Sequence, residues 1–250
     1  DGYTLRIEGP ASSGSGVIVS KEDHAYLFLT AWHVLESHNK GEELSIVTSD
    51  GKRHDVAQSS IRRIPNVDLA YGIFYSKKEY KQASIESPSR INSGDNLYVA
   101  GYPLPTSAVP KSLKRFLTGS VIAISNQQQS DGYELMYSNP TMPGMSGGPV
   151  LSNRGGLVGI HGRAESNYMK SGQDYIAIKT GTNQAVPISY FLKEIDGSFE
   201  MQQNRRNNKA DNLIAEANNR IQVIKDLSID SNLSYSRDRQ IFSELISRAY

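Results

Sequence analysis

The chain contains no cysteine among its 250 residues, and this absence excludes two kinds of stabilisation. Disulfide bonds cannot cross-link the fold, and no thiolate is available to bind zinc or an iron–sulfur cluster. The fold must therefore be held together by its apolar cores. The lack of cysteine does not by itself fix the compartment in which the protein works.

The chain also lacks a strong charge bias and long apolar runs. Its 27 basic and 26 acidic residues leave a formal net charge of +1, which argues against a large nucleic-acid interface. No apolar run approaches the roughly 18 residues of a membrane span. His24, His38 and His54 form neither an HExxH motif nor a compact ligand cluster, so we expect no metal site and no cofactor.

What the chain does contain, up to about residue 180, is a series of short β-branched or aromatic runs separated by turn residues. The first six runs are Tyr3–Ile7, Val17–Ser20, Ala25–Leu29, Leu44–Thr48, Ile61–Ile64 and Leu69–Tyr75. The next six are Leu97–Ala100, Arg115–Ser125, Tyr133–Tyr137, Pro149–Leu151, Leu157–Ile160 and Tyr175–Lys179. This pattern predicts antiparallel β-structure, as a sandwich or as barrels, with the two halves joined near Lys77–Ser93.

The composition changes after residue 187. Pro187–Leu192 predicts a short closing helix, and a polar linker is expected over residues 197–209. Apolar residues at helical spacing then predict an α-helical hairpin over residues 210–250. This hairpin faintly resembles the first unit of a tetratricopeptide-type repeat array, which implies a protein partner bound through the C-terminal helices.

The most informative motif is Gly144-Met145-Ser146-Gly147-Gly148-Pro149. A serine flanked by glycines can present its hydroxyl on a sharp turn, and the N–H groups of Gly144 and Ser146 can converge on a forming oxyanion. A nucleophile also needs a base and a group that orients the base. His33 follows an apolar run, and Asp68 precedes another, which gives the chain order His33, Asp68, Ser146.

The same glycine-flanked serine also fits the G-x-S-x-G elbow of the α/β-hydrolases. Those enzymes carry an acid and then a histidine after the serine. Here only His161 follows Ser146, and no aspartate lies between the two. The elbow interpretation therefore fails, and the order histidine, aspartate, serine remains.

Taken together, these blocks resemble the trypsin-like (chymotrypsin-fold) serine proteases in their bacterial, disulfide-free form. The resemblance runs from about residue 3 to about residue 196 and rests on several blocks in order. The blocks are Gly14–Val19, Thr30–His33, Asp68–Ala70, Gly144–Pro149 and Gly156–Ile160. It implies an all-β protease domain over residues 1–196, built from two six-stranded antiparallel barrels at about 1–80 and 90–186, and followed by a short α-helical C-terminal extension.

The resemblance also implies an activity and the residues that perform it. The chain is expected to be a serine endopeptidase that works through an acyl-enzyme, on a protein or peptide substrate. His33 would act as general base and then general acid, Asp68 would orient it, and Ser146 would attack. A bacterial protein, periplasmic or secreted rather than cytoplasmic, is favoured. The alternative is a protease-fold binding or adaptor module that stays dormant until a partner docks on the helical tail.

Two further positions concern specificity and activation. Thr141, five residues before the nucleophile, and His161 resemble the pocket residues of glutamyl endopeptidases and of viral cysteine-nucleophile relatives that prefer glutamine. This resemblance implies cleavage after Glu, with Gln or Asp second, although His161 also fits a hydrogen-bonded core histidine. Met145 stands where animal members of the family carry the aspartate that binds a freshly cut N-terminus, so the oxyanion hole is expected not to depend on N-terminal trimming.

Overall fold

The fold was analysed in a computed structural model, which describes residues 2–196 except 11, 40, 172 and 173. The linker predicted for residues 197–209 and the helical hairpin predicted for 210–250 lie outside the described residues, so both stay predictions. Within the described part, no helix combines the length and apolar character needed to cross a membrane.

The first half of the structure is an antiparallel sheet of seven strands. They are β1 (Thr4–Glu8), β2 (Ser13–Glu22), β3 (Ala25–Thr30), β4 (Ser45–Val47), β5 (Arg53–Asp55), β6 (Arg62–Arg63) and β7 (Ala70–Tyr75). Their order across the sheet is β5-β4-β1-β2-β3-β7-β6. An isolated bridge between Val56 and Phe74 links the chain after β5 to β7 and curls the sheet into a half-barrel. The short helix α1 (Trp32–Leu35) follows β3.

The second half is a closed six-stranded barrel. Its strands are β8 (Asn96–Gly101), β9 (Arg115–Ile124), β10 (Leu135–Tyr137), β11 (Pro149–Ser152), β12 (Leu157–Ser171) and β13 (Asp174–Pro187). They close in the order β10-β13-β12-β11-β8-β9. Helix α2 (Ser189–Asp196) then packs Phe191 and Ile195 against the core, as does Ile188 just before it.

The structure confirms the predicted all-β fold class, with the second half as the predicted six-stranded barrel, and it differs from the prediction in three details. The first half is a half-barrel sheet rather than a closed six-stranded barrel. The first half has seven strands rather than six, because the polar segment Arg53–Asp55 pairs with β4 as an extra edge strand. Strands β12 and β13 are much longer than the apolar runs Leu157–Ile160 and Tyr175–Lys179. They continue as a two-stranded ribbon, in which the predicted run Tyr175–Lys179 pairs with residues 166–170 of β12.

The two halves share one apolar core. Buried side chains of β2, β3 and β7, such as Val17, Leu27 and Ile73, form a cluster with Leu157 and Val186 of the second half. A second cluster lies within the first half and a third within the closed barrel. The shared cluster fixes the halves against each other, and the residues predicted to be functional lie at this junction.

A connecting segment, residues 76–95, runs between the halves and is tied to the second by Glu86. The backbone N–H of Glu86 donates to the Leu157 carbonyl at 2.9 Å. Its buried carboxylate accepts from the Ser152 hydroxyl at 2.6 Å and from Arg154 Nε at 2.8 Å. Burial alone would raise the pKa of the Glu86 carboxyl, but Arg154 and Ser152 outweigh burial and hold this pKa below its usual value.

We predict that Glu86→Gln lowers the free energy of unfolding by about 1–3 kcal/mol at neutral pH, because the buried partners lose a charge-assisted acceptor. Because folding lowers the pKa of Glu86, the ionised carboxylate stabilises the folded state fully above the usual carboxyl pKa. This stabilisation is lost as the pH falls through the pKa of the folded state. The difference between wild type and variant should therefore shrink below about pH 4. Urea denaturation of both proteins at a series of pH values measures this difference in unfolding free energy.

Glu79→Gln is the matched control, because Glu79 pairs with Lys21 at an exposed surface. Exposed pairs contribute little, so this variant should change stability much less than Glu86→Gln. Equal effects of the two substitutions would contradict the role assigned to Glu86.

Candidate active site

The side chains of His33 and Asp68 are in direct contact between the two halves. His33 lies in α1, just after β3, and Asp68 lies just before β7. The Asp68 carboxylate accepts from His33 Nδ1 at 2.6 Å and from the His33 backbone N–H at 2.8 Å. A third donor, which the sequence did not single out, is the hydroxyl of Tyr133.

These contacts set the protonation of the pair. Burial alone would lower the pKa of His33, but the hydrogen bond and charge of Asp68 outweigh it and raise this pKa above its usual value. Burial alone would raise the pKa of Asp68, yet His33 and Tyr133 hold it below its usual value. The arrangement is an ionised carboxylate that orients an imidazole and favours its protonated form.

Ser146 lies on the turn between β10 and β11, close to this pair. Its hydroxyl donates to the Gly162 carbonyl at 2.8 Å, and the hydrogen bonds of the described residues include none between Ser146 and His33. Gly14 lies between the two elements: a Cβ added there would lie 2.6 Å from Val34, the residue after His33, and 3.1 Å from the Ser146 carbonyl. The backbone at Ser146 is therefore close to the helix that carries His33. Rotation about one bond would turn the hydroxyl from Gly162, and catalytic hydrogen bonds often form only with substrate bound.

The turn before Ser146 forms a nest of backbone donors. The N–H groups of Met145 and Gly147 are used, by the carbonyls of Met142 at 3.1 Å and His161 at 2.7 Å. Within the described chain, the N–H groups of Gly144 and Ser146 donate to no backbone carbonyl. These are the two donors predicted to bind an oxyanion.

The orientation of the Gly144 N–H is fixed by its own peptide. The Pro143 carbonyl accepts from the Leu104 N–H at 2.8 Å. Because a trans peptide points its carbonyl and N–H in opposite directions, the Gly144 N–H is turned away from Leu104. Gly144 has φ +92°, and a Cβ there would lie 2.6 Å from Leu104 N. This conformation therefore requires glycine.

Met145, between the two donors, is fully buried in the apolar core of the closed barrel. A Cβ on Gly101 of β8 would lie 3.0 Å from the Met145 Cβ, which shows how closely this side chain is packed. Apolar packing thus fixes the residue that lies between the two predicted oxyanion donors.

His161 lies on β12 and is 3% exposed. Its Nδ1 is 2.6 Å from the hydroxyl of Tyr137, which is itself fully buried. Burial lowers the pKa of His161 to about 3. The imidazole is therefore neutral near pH 7. The Tyr137 hydroxyl also lies 3.3 Å from the Gln184 carbonyl, so its single proton has two acceptors within reach, this carbonyl and His161 Nδ1.

Thr141 reaches the same part of β13 as His161 and Tyr137. Its hydroxyl donates to Asn183 Oδ1 at 2.5 Å, and Asn183 Nδ2 in turn donates to the Asn139 carbonyl at 2.6 Å. Tyr137 pairs with Asn183 across the β10–β13 ladder. The two residues predicted to line a pocket thus converge on one strand, with their hydrogen-bond partners held by the barrel.

Sequence reasoning missed Tyr133, Tyr137 and Asn183. None lies in a recognisable motif, because each acts on a partner far along the chain. The sequence holds only a weak signal for them: Tyr133 and Tyr137 are the first and last residues of one predicted strand. Among the described residues, no group of three or more histidine, aspartate or glutamate side chains is arranged to hold a metal ion.

Comparison with known proteins finds relatives of this chain. A glutamyl endopeptidase of Staphylococcus epidermidis is 30% identical over an alignment of 185 residues, and the match covers 67% of this chain and 60% of that protein. The chain thus spans less than two thirds of this relative. The serine protease Do-like HtrB of Bacillus subtilis is 26% identical over 177 residues, which are 70% of this chain and 37% of that protein.

The solved structures include an HtrA-type protease, AlgW with a tripeptide, at a TM-score of 0.55 and 21% identity. The match covers 78% of this chain and 59% of the other, and it supports the fold. Residues 14–160, which include His33, Asp68 and Ser146, match the trypsin-like peptidase domain family. The chain belongs to this family.

Proposed function

We propose that the chain is a serine endopeptidase, with His33, Asp68 and Ser146 as its catalytic triad. The observation that carries the proposal is the buried Asp68 carboxylate bound to His33 Nδ1, beside a glycine-rich turn with two unused N–H groups. A base oriented in this way, next to preorganised oxyanion donors, is the arrangement that acyl transfer requires.

The reaction follows from the roles of these groups. His33 Nε2 accepts the proton of the Ser146 hydroxyl as Oγ attacks the carbonyl carbon of the scissile bond. The oxyanion that forms is bound by the N–H groups of Gly144 and Ser146. The imidazolium then gives its proton to the leaving amine, and an acyl-enzyme remains. Water, activated by His33, attacks the ester and releases the second product.

The pocket made by Thr141 and His161 is proposed to receive Glu before the cut, with Gln or Asp second. His161 is a neutral, buried imidazole, and its Nε2–H is the proposed donor to the substrate, with Tyr137 donating to Nδ1. The Thr141 hydroxyl donates to Asn183 Oδ1 and would turn from it to reach the substrate. Hydrogen-bond donors suit a carboxylate or carboxamide, whereas Lys or Arg would need an acid. The 30% identical glutamyl endopeptidase supports this assignment.

The substrate is accordingly a protein or peptide. A protein partner bound through the C-terminal helices, and a bacterial, periplasmic or secreted, location are further proposals. The competing function is a protease-fold adaptor that stays dormant until such a partner docks. The formed Asp68–His33 pair favours the active enzyme.

We predict that Ser146→Ala abolishes peptide hydrolysis and labelling by a fluorophosphonate, with thermal unfolding unchanged. Loss of a triad nucleophile should leave only the roughly 10³–10⁴-fold rate enhancement that the oxyanion hole and substrate binding supply. Ser59→Ala, at an exposed serine of the first half, is the control and should react normally. Near-normal turnover by Ser146→Ala would refute the proposed function.

We predict that Gly144→Ala lowers kcat/KM by about 10²–10³-fold, the usual cost of losing one oxyanion donor. Alanine at φ +92° is strained and meets Leu104 N, so the 143–144 peptide must shift. Gly155→Ala is the matched control, since Gly155 has φ +82° but a Cβ added there would have no neighbour within 4 Å. Steady-state kinetics decide, and similar losses in both variants would contradict the prediction.

We predict that His161→Ala lowers kcat/KM for Glu substrates by about 10²-fold or more, because a buried carboxylate loses its donor. The control is His54→Ala, which changes a histidine of β5 in the first half and should leave kcat/KM for Glu substrates unchanged. Since the pKa of His161 is about 3, its neutral form dominates in the free enzyme at every pH above that value. The Glu-to-Gln ratio of kcat/KM should thus stay constant from about pH 5.5 to 8, and a step in that range would contradict it.

A further inference from the structure

We propose that Tyr133 is a positioning residue for the catalytic pair, which acts by holding the Asp68 carboxylate from the second half of the molecule. This inference rests on the proposed function. It starts from the hydrogen bond of the Tyr133 hydroxyl to Asp68 Oδ2, the same oxygen that accepts from His33 Nδ1.

The first step is the state of the phenol. Tyr133 is 2% exposed. Burial, followed by the charge of Asp68, raises the pKa of Tyr133 well above its usual value. The hydroxyl is therefore protonated at every pH at which the fold persists, and its proton is available to Asp68 throughout catalysis. The carboxylate thus has a donor from each half of the molecule.

The second step concerns Gly162, where β12 passes Ser146. A Cβ at this position would overlap both the ring and the hydroxyl of Tyr133. The phenol therefore fills the space that a side chain at position 162 would occupy. Gly162 also accepts the Ser146 hydroxyl through its carbonyl. One residue of β12 thus contacts the predicted nucleophile and leaves room for the group that binds Asp68.

The third step is that Tyr133 is itself held rigidly. The Asp131 carbonyl, two residues earlier, accepts from the Asp68 N–H at 2.8 Å. The guanidinium of Arg163 lies over the Tyr133 ring at 4.1 Å, and its Nε donates to Gln184 at 2.9 Å. The phenol is clamped between the Asp68 loop and β12, so its hydroxyl can fix the plane of the carboxylate.

The pH profile of Tyr133→Phe tests this role. Without the phenol, the Asp68 carboxylate loses a stabilising donor and attracts the His33 imidazolium more strongly, so the pKa of His33 rises. Because His33 must be neutral to act as a base, the acid limb of kcat/KM should move to higher pH, by about half a unit. Near the pH optimum, kcat should fall about tenfold, with KM within about twofold.

Tyr26→Phe is the matched control. Tyr26 is fully buried in the first half, and its hydroxyl donates to the Lys78 carbonyl at 3.0 Å. Its loss should lower stability without moving the acid limb. A purely structural role for Tyr133 would likewise lower kcat/KM equally at every pH, and an unmoved limb in Tyr133→Phe would overturn the proposal.

A rescue variant separates the lost hydroxyl from lost packing. In Tyr133→Ala, the space beside position 162 is open, so the additional change Gly162→Ser directs a new hydroxyl toward the vacated site. The double variant should exceed Tyr133→Ala in kcat by about fivefold or more. Equal kcat values would overturn the proposal. Activity retained by Ser146→Ala would instead refute the proposed function, whichever way the Tyr133 variants behave.

Discussion

The site depends on one buried carboxylate between two β halves. Asp68 accepts hydrogen bonds from the backbone and ring of His33 on one side and from Tyr133 on the other. Burying a carboxylate to 9% exposure destabilises the fold unless hydrogen-bond donors satisfy its oxygens. For Asp68 these donors come from both halves. The interaction that orients the imidazole is therefore also one that joins the halves, beside the apolar core that they share.

The oxyanion turn depends on the first half in a second way, through the backbone of β2. The Ser15 N–H donates to the Ser146 carbonyl at 2.7 Å, and the Ser15 hydroxyl donates to the Gly144 carbonyl at 2.9 Å. The Ser15 hydroxyl also accepts from the Tyr102 N–H at 2.8 Å, at the end of β8. These bonds fix the carbonyls of Gly144 and Ser146 and so hold the backbone on both sides of Met145 in place. The Gly14–Val19 block of the sequence thus supports a turn about 130 residues away.

The sequence predicted those residues and strands whose signal lies in their immediate neighbours along the chain. His33, Asp68 and Ser146 each lie in a short motif whose neighbours set the local turn, and the twelve β-branched or aromatic runs located most of the strands because turn residues separate them. Tyr133, Tyr137 and Asn183 could not be found in this way, since each is recruited by a partner brought near only by barrel closure. The continuation of β12 past Ile160 was missed, although its partner Tyr175–Lys179 was predicted, because residues 161–171 hold mostly polar residues and few apolar ones.

The groups around the site differ in how they respond to pH, and this difference restricts what a pH profile can report. The pKa of Asp68 is held below its usual value and that of His161 is about 3, while those of Tyr133 and Tyr137 are raised. Only His33, whose pKa is raised from 6.5, changes charge near neutral pH among these five. The predicted oxyanion donors lie in a turn held by backbone hydrogen bonds and by the apolar packing of Met145, and in the described part of the chain no titratable side chain bonds to them. A loss of activity on mild acidification therefore measures protonation of His33 rather than collapse of the oxyanion hole or recharging of the pocket.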